Sequence, residues 1–174
     1  MVDILQTLKE RRSCRKYKNE LIPQECLDKI LEAGTFAASG MGKQSAIIVS
    51  ITNKEARDKV SELNARAMGK SDFDPFYGAP QIIVVLANKN VPTYTHDGSL
   101  VLGNMMAEAE SLGMATCWIH RAKEVFESDE GKALLKKWGI EGDYEGIGNL
   151  ALGFADAPKN APAPRKENYV YCVK

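Results

Sequence analysis

Residues 81–87, Gln81-Ile82-Ile83-Val84-Val85-Leu86-Ala87, form a continuous apolar run behind one glutamine. A strand with one face in water alternates apolar and polar residues, so an unbroken run predicts a strand that is buried on both faces. Such a strand must lie inside a sheet that is covered on each side by a further layer. This stretch therefore predicts a central sheet, around which the rest of the sequence can be placed.

Weaker patterns on both sides of residues 81–87 predict the other elements. Strands are expected over 47–52, 115–119 and 147–154. Helices are expected behind Asp3, between Pro23 and Gly34, and over 54–68, 99–112 and 128–138. Because helices and strands alternate without a repeat or a linker, residues 1–174 are expected to form one α/β or α+β domain.

Three further segments carry distinctive patterns. Residues 99–112 are apolar almost all round, so this helix, with Asp97 as its expected cap, belongs in the core or across a subunit interface. Residues 69–80 predict a helix fragment or a mobile segment whose three aromatic residues form a local packing cluster. Residues 155–164 hold three prolines and four alanines and predict an extended surface arm, followed by a strand-like 169–171.

The composition excludes several classes of protein. Lys and Arg together number 23, as do Asp and Glu, so no basic excess is available to bind nucleic acid. Neither a secretion signal nor a run of about 20 apolar residues is visible, so no membrane association is expected. The four cysteines and two histidines lack the spacing of a metal site, which predicts reduced thiols in a cytoplasmic protein. Cys14 and Cys117 are interpreted as packing thiols, because neither has an evident resolving cysteine.

The basic stretch Arg11-Arg12-Ser13-Cys14-Arg15 is the strongest candidate for chemistry. Three guanidinium groups within five residues repel one another, so on composition alone the stretch is interpreted as solvated surface. Guanidinium groups also match the oxygen atoms of a phosphate and stay charged at any working pH, and a serine hydroxyl adds a further hydrogen bond. The alternative interpretation is therefore a phosphate clamp.

The order of the segments along the chain favours the phosphate clamp. The sequence carries Arg-Arg-Ser-x-Arg-x-Tyr at 11–17, Ile-Pro at 22–23, a small-residue loop ending in Gln44, Leu-Gly-Met-Ala-Thr at 112–116 and Pro-Arg-Lys at 164–166. This ordered set resembles the nitroreductase family of flavoenzymes over nearly the whole chain. The resemblance implies an α+β fold with a central mixed β-sheet flanked by helices, assembled as an intertwined homodimer that binds flavin mononucleotide (FMN).

The resemblance also implies which residues bind FMN. The N-terminal motif would hold the phosphate and the ribityl chain, and the loop before the first long strand would line the flavin from the partner subunit. The turn after the 115–119 strand would face the reactive edge of the ring, and the basic C-terminal residues would return to the phosphate. In this order, the positions are Arg11, Arg12, Ser13 and Arg15, then Ala38, Ser39, Gly40 and Gln44, then Ile119, His120 and Arg121, and finally Arg165 and Lys166.

The activity that the resemblance implies is hydride transfer from NAD(P)H through FMN to a flat, electron-poor acceptor such as a nitroaromatic or a quinone. An FMN carrier or sensor without nicotinamide turnover, and a flavoenzyme of this fold with another reaction, are the alternatives. His120 is interpreted as a structural residue or as a donor to flavin or substrate. Arg121 or Lys43 is expected to favour anionic reduced flavin. Many relatives carry asparagine at the position of Gly42, so a flavin contact is expected to be missing there.

Overall fold

A computed structural model describes residues 3–174 and places a four-stranded sheet at the centre of the chain. The strands are β1 (Ala46–Ile51), β2 (Gln81–Asn88), β3 (Ala115–Ile119) and β4 (Tyr144–Gly153). Their order in the sheet is β1-β2-β4-β3, so β2 and β4 are central while β1 and β3 form the edges. All neighbouring strands pair antiparallel.

The helices of the described chain flank this sheet. They are α1 (Ile4–Glu10), α2 (Gln24–Thr35), α3 (Lys54–Ala67), α4 (Tyr94–Ser111), α5 (Ala122–Glu127) and α6 (Asp129–Lys137). None of them, within residues 3–174, has both the length and the apolar character needed to cross a lipid bilayer. The expected α+β class and helix-flanked central sheet are confirmed. The four strands are all antiparallel, and the parallel part of the expected mixed sheet is a single isolated bridge between Ser13 and Thr116.

The central strand β2 is buried on both faces, as its unbroken apolar run predicts. Ile82, Val84 and Leu86 point into a core layer that contains side chains of α3 and α5. Ile83 and Val85 point into the opposite layer, which contains side chains of α2 and α4. Because successive residues of a strand face opposite sides, a strand without polar positions requires cover on each side of the sheet.

Helix α4 packs along the second face of the sheet and begins at Tyr94 rather than near residue 99. Its close approach depends on Gly98, because a Cβ at this position would lie 2.6 Å from the Ile147 side chain. The far side of the helix is uncovered within one chain: Leu100 is 49% exposed, and a Cβ on Gly103 would meet no atom within 4 Å. The sequence predicts that this apolar helix lies in the core or across a subunit interface, and the core of one chain covers only one of its sides.

Some parts of the chain differ from the expected elements. Helix α5 has no counterpart among them, because 6 residues are too few for helical periodicity to stand out. It lies against β4 at Gly146, where a Cβ would be 2.3 Å from the Ala122 backbone. Residues 69–80 contain no helix, and the expected strand at 169–171 is wrong, since these residues are exposed and pair with no strand of the described chain.

Candidate functional site

The arginine-rich segment, residues 11–15, lies along the free edge of β3. The chain leaves α1 at Arg11, whose φ of −58° and ψ of 129° end the helix. Ser13 then forms the parallel bridge to Thr116, and Cys14 N donates to Thr116 O at 2.9 Å. Backbone hydrogen bonds therefore fix the segment against the sheet, and its guanidinium groups are not needed to hold it there.

The guanidinium groups of this segment lack acidic partners. Within residues 3–174, no carboxylate forms an ion pair with Arg11, Arg12 or Arg15. Arg12 Nη1 donates to the carbonyl oxygens of Lys9 and Arg11 at 2.7 and 2.6 Å, whereas its Nε is buried without a partner in the described chain. A buried donor without an acceptor is costly. The segment is therefore suited to bind an oxyanion.

The C-terminal segment meets the arginine-rich segment at a cavity of about 620 Å³. Arg165 lines this cavity together with Arg11, Arg12 and Ser13. Lys166 is not among the lining residues, and its ammonium group lies instead over an aromatic ring of the tail, 5.1 Å from the ring centroid. Of the two basic C-terminal candidates, the structure brings Arg165 to the cluster and leaves Lys166 outside it.

Arg15 lines a second cavity of about 230 Å³, which shares two lining residues with the first. Another part of its wall comes from residues 157–160, in the arm that follows β4. Lys159 in this arm pairs with Glu110 at the end of α4. The arm that the sequence predicts over the surface thus lies beside the arginine-rich segment.

The small-residue loop before β1 lies at a separate cavity. Ala38, Ser39 and Gln44 line this cavity, which has a volume of about 440 Å³ and lies between α2, β1 and α4. It shares no lining residue with the two cavities at the arginine-rich segment. Two sets of residues that the sequence assigns to one FMN are therefore not brought together within one chain.

The buried carboxylate of Asp97 fixes this loop. It accepts hydrogen bonds from Gly40 N at 3.0 Å, Ser45 Oγ at 2.6 Å and Thr93 Oγ1 at 3.1 Å. The expected role of Asp97 as a helix cap is wrong, because α4 begins earlier and Asp97 lies within its first turn. Burial disfavours the charged carboxylate, but the hydrogen bonds outweigh it and hold the pKa of Asp97 below its ordinary value of 3.8.

Glycines 40 and 42 of the loop meet different constraints. A Cβ on Gly40 would lie 2.3 Å from Thr93 Oγ1, so the chain itself requires a glycine there. Gly42 has a left-handed φ of 65°, and a Cβ at this position would meet no atom within 4 Å. The neighbouring Met41 is also left-handed, with a φ of 53°, and is 81% exposed. The tip of the loop is therefore open within one chain.

Two buried amides hold the turn that follows β3. Asn64 Nδ2 donates to His120 O at 2.9 Å, and Asn149 Nδ2 donates to Ile119 O at 3.4 Å. Neither asparagine is among the expected site residues. Asn149 interrupts the apolar run of β4, which is a visible signal in the sequence. Asn64 belongs to α3, whose many charged residues predict a helix at the surface. Nothing in the local sequence indicates that Asn64 is buried.

The turn itself lines a cavity of about 260 Å³ whose wall includes Phe73 and Tyr77. Arg121 has a left-handed φ of 78° and pairs with Glu124 at 2.6 Å, so its positive charge is partly neutralised. His120 is exposed and lines the same cavity. An exposed imidazole at the cavity does not fit the interpretation of His120 as a packed structural residue.

The segment over residues 69–80 is irregular but anchored at Asp74. Its carboxylate accepts from Ser61 Oγ at 2.7 Å and Gly78 N at 2.7 Å, and it pairs with Arg57 Nη2 at 2.5 Å. Burial raises the pKa of Asp74, but the hydrogen bonds from Arg57, Ser61 and Gly78 outweigh this and lower it overall. The aromatic wall beside the β3 turn is thus held in place by a partly buried ion pair.

An antiparallel sheet covered by helices, with arginines along one edge that have no acidic partner within residues 3–174, defines a class of α+β protein with a candidate anion site at the sheet edge. Comparison with known sequences specifies the class further. The chain belongs to the nitroreductase family, whose family model matches residues 8–154.

Individual relatives agree with this assignment. A nitroreductase of Bacteroides fragilis, solved with bound FMN, is 28% identical, with a TM-score of 0.90 over 100% of both chains. A nitroreductase of Desulfitobacterium hafniense, also solved with bound FMN, is 26% identical, with a TM-score of 0.88 over 99% of this chain and 100% of that one.

Curated relatives are longer than the region they share with this chain. An FMN reductase (NAD(P)H) of Bacillus subtilis is 30% identical over 138 residues, which cover 67% of this chain and 53% of that protein. A relative from Methanothermobacter thermautotrophicus is 28% identical over 121 residues, which cover 67% of this chain and 60% of the relative. The chain thus spans little more than half the length of these proteins.

The Asp97 network leads to a prediction about stability and pH. Asp97→Asn should lower the free energy of unfolding at pH 6 by about 1–3 kcal/mol, because buried donors lose a charged acceptor. A carboxyl whose pKa is lower in the folded than in the unfolded protein stabilises the fold above its unfolded pKa, near 3.8, and loses this contribution as the pH falls through its folded pKa. The deficit of the variant should therefore shrink below pH 4, as measured by urea unfolding.

Asp28→Asn is the matched control for this comparison. Asp28 lies on the exposed face of α2, where it accepts one hydrogen bond from Gln24, so its replacement should change stability by less than about 0.5 kcal/mol. An Asp97→Asn deficit that stays constant from pH 6 to pH 3 would contradict the role given to the Asp97 charge.

Proposed function

We propose that this chain is an FMN-dependent oxidoreductase that takes reducing equivalents from NAD(P)H and passes them to a flat, electron-poor acceptor, such as a nitroaromatic or a quinone. Residues 1–174 then form one FMN-binding domain. The observation that carries the proposal is that one cavity is lined by Arg11, Arg12, Ser13 and Arg165. The three arginines of residues 11–15 have no acidic partner in the described chain. Two structural relatives with bound FMN support the choice of cofactor.

The residues at this cavity fit a phosphate ester. A phosphate group of this kind carries about two negative charges at neutral pH, which several guanidinium groups match better than one. The buried Nε of Arg12 is a donor in need of an acceptor. Ser13 and Arg15 belong to the same backbone-anchored segment and would hold the phosphate and ribityl chain, while Arg165 closes the site from the C-terminal side.

The protein contributes positioning rather than acid–base groups. FMN, when bound, supplies reversible hydride chemistry, for which the chain offers binding and electrostatics. The turn at 119–121 would present backbone groups to the ring, in a position fixed by Asn64 and Asn149. The neighbouring cavity, with Phe73 and Tyr77 in its wall, offers apolar surface to a flat acceptor. His120 lines the same cavity and would serve as a hydrogen-bond donor to acceptor or cofactor.

A homodimer belongs to the same proposal. Ala38, Ser39, Gly40 and Gln44 line or border a cavity that one chain keeps apart from the arginines, so a second subunit would have to supply them. Exposed apolar side chains on α4 and on this loop support such an interface, since large apolar groups rarely remain in water. They are Phe36, Met41 and Leu100. A cytoplasmic location is also proposed, because none of the four scattered cysteines forms a C-x-x-C pair.

An FMN carrier or sensor is the second candidate. The observation in its favour is the ion pair between Arg121 and Glu124, which reduces the positive charge available beside a reduced flavin. Lys43, the other expected source of charge, lies on a loop that would have to come from the partner subunit. A carrier would need the phosphate clamp but not the charge at the ring.

Anaerobic reduction distinguishes the two candidates. The FMN-loaded protein should lose its visible flavin absorbance within minutes of mixing with excess NADH or NADPH, and the absorbance should return on adding a quinone. Free FMN at the same concentration is the control. Holoprotein that keeps its colour with both nicotinamides, yet bleaches with dithionite, would establish the carrier and refute the reductase.

The phosphate clamp is tested by binding. Arg11→Ala and Arg15→Ala should each weaken FMN binding at least tenfold, because each charged hydrogen bond contributes about 1.5–3 kcal/mol. Fluorescence titration of the apoprotein measures the change. Lys18→Ala is the matched control, since Lys18 is an exposed cation a few residues further on that lines none of the cavities. Unchanged affinity in both arginine variants would rule out the clamp.

The dimer is tested by a charge on the uncovered side of α4. Leu100→Glu should shift the protein toward monomers in sedimentation velocity and weaken FMN binding in proportion, because the partner loop is lost. Ala133→Glu, at an exposed position of α6, is the matched control and should leave both readouts unchanged. A monomeric Leu100→Glu variant with full FMN affinity would overturn the shared site.

A further inference from the structure

The bridge between Ser13 and Thr116 also sets two cysteines side by side. Because the pairing is parallel, the residues that follow, Cys14 and Cys117, occupy the next register position. The hydrogen bond from Cys14 N to Thr116 O, at 2.9 Å, holds this register. Neighbouring strands lie about 4.8 Å apart, and disulfides join Cα atoms separated by about 4.4–6.8 Å. A parallel register of this kind is therefore compatible with a disulfide between the two residues.

Both cysteines face the same core layer. Cys117 is buried in the layer that also contains Tyr17, and Cys14 packs against its edge. The Tyr17 hydroxyl lies 3.2 Å from Cys14 O and 3.4 Å from Ala151 O, and Ala151 is the β4 partner of Cys117. Burial raises the pKa of the Tyr17 phenol, so it stays protonated as a donor between the two chain segments.

The two thiols differ in access. Cys14 is partly exposed and lines the cavity of about 230 Å³ next to Arg12 and Arg15. Cys117 is only 4% exposed, and burial raises the pKa of its thiol, with Arg15 and a hydrogen bond from Ser13 opposing the rise. Oxidation-sensitive sites commonly pair an accessible cysteine with a second one beside it that resolves the first product. Here Cys14 is the accessible cysteine, and Cys117 is the second cysteine that would resolve the first product.

We propose that Cys14 and Cys117 form a reversible disulfide that cross-links the arginine-rich segment to the central sheet. A peroxide is the oxidant: the Cys14 sulfur attacks it and becomes a sulfenic acid, releasing one water. The Cys117 sulfur then attacks the Cys14 sulfur and displaces hydroxide. The hydroxide takes up the proton of the Cys117 thiol and leaves as a second water. Two thiols and one hydrogen peroxide thus give one disulfide and two waters, and a dithiol reductant reverses the change.

The site also links oxidation to the cofactor. Ser13 immediately precedes Cys14 and belongs to the candidate phosphate clamp, and Cys14 opens into a cavity that adjoins the clamp. Bound FMN should therefore shield Cys14 from peroxide. This link rests on the proposed function, whereas the disulfide itself depends only on the register of the two segments.

The disulfide is tested by counting thiols in the flavin-free protein. The wild type has four cysteines, and stoichiometric hydrogen peroxide should reduce the number that react with a maleimide, counted after the protein is unfolded in denaturant, from four to two. Mass spectrometry should then find one cross-linked peptide pair, containing Cys14 and Cys117, that dithiothreitol separates. The double variant Cys26→Ser, Cys172→Ser keeps only the proposed pair and should lose both of its thiols in the same way.

Cys14→Ser in this double-variant background is the matched control and should show no intramolecular cross-link. Two thiols that stay reactive in the double variant, or a cross-link that involves Cys26 or Cys172 instead, would overturn the proposal. Saturation of the wild type with FMN should slow thiol loss at least fivefold. Equal rates with and without FMN would remove the link to the cofactor, while the thiol count would still decide the disulfide.

Discussion

Burial of β2 on both faces is the constraint on which the rest of the structure depends. Its alternate side chains contact one apolar layer with α3 and α5 and another with α2 and α4. Both faces of the sheet are thereby occupied by helices, and binding groups are left with its edges and its loops. The arginine-rich segment lies at such an edge, beside β3. The position of the candidate site therefore follows from the way the core is built.

The pattern of ion pairs around that edge supports the candidate site. Lys16 belongs to the same stretch of chain and pairs with Asp156 at 2.9 Å, so acidic groups are available nearby. The arginines of residues 11–15 nevertheless have no carboxylate partner within residues 3–174. Their mutual repulsion is tolerated because backbone hydrogen bonds to β3 hold the segment, and an added anion would relieve it.

Periodicity in the sequence predicts the central strand, β3 and the outline of most helices, because burial leaves a local pattern. Contacts between distant segments leave none. The sequence predicts that Asp97 caps a helix, whereas in the structure it binds the loop at residue 40. Asn64 lies in a charged helix and is expected to be exposed, whereas in the structure it binds the β3 turn. Cys14 and Cys117 appear unrelated in sequence, since only the register of the N-terminal segment on β3 makes them neighbours.

The Asp97 network also explains why one chain keeps the two parts of its candidate site apart. A flexible loop could move across to the arginines, but residues 39–45 are bound to α4 by the buried carboxylate of Asp97. They also pack against Thr93 at Gly40, a position where only a glycine fits. These contacts hold the loop at its own cavity. We propose that a second copy supplies the other half of the site. In the proposed dimer, cofactor binding and subunit association would therefore stabilise each other, because a ligand held by both subunits binds the assembled form alone.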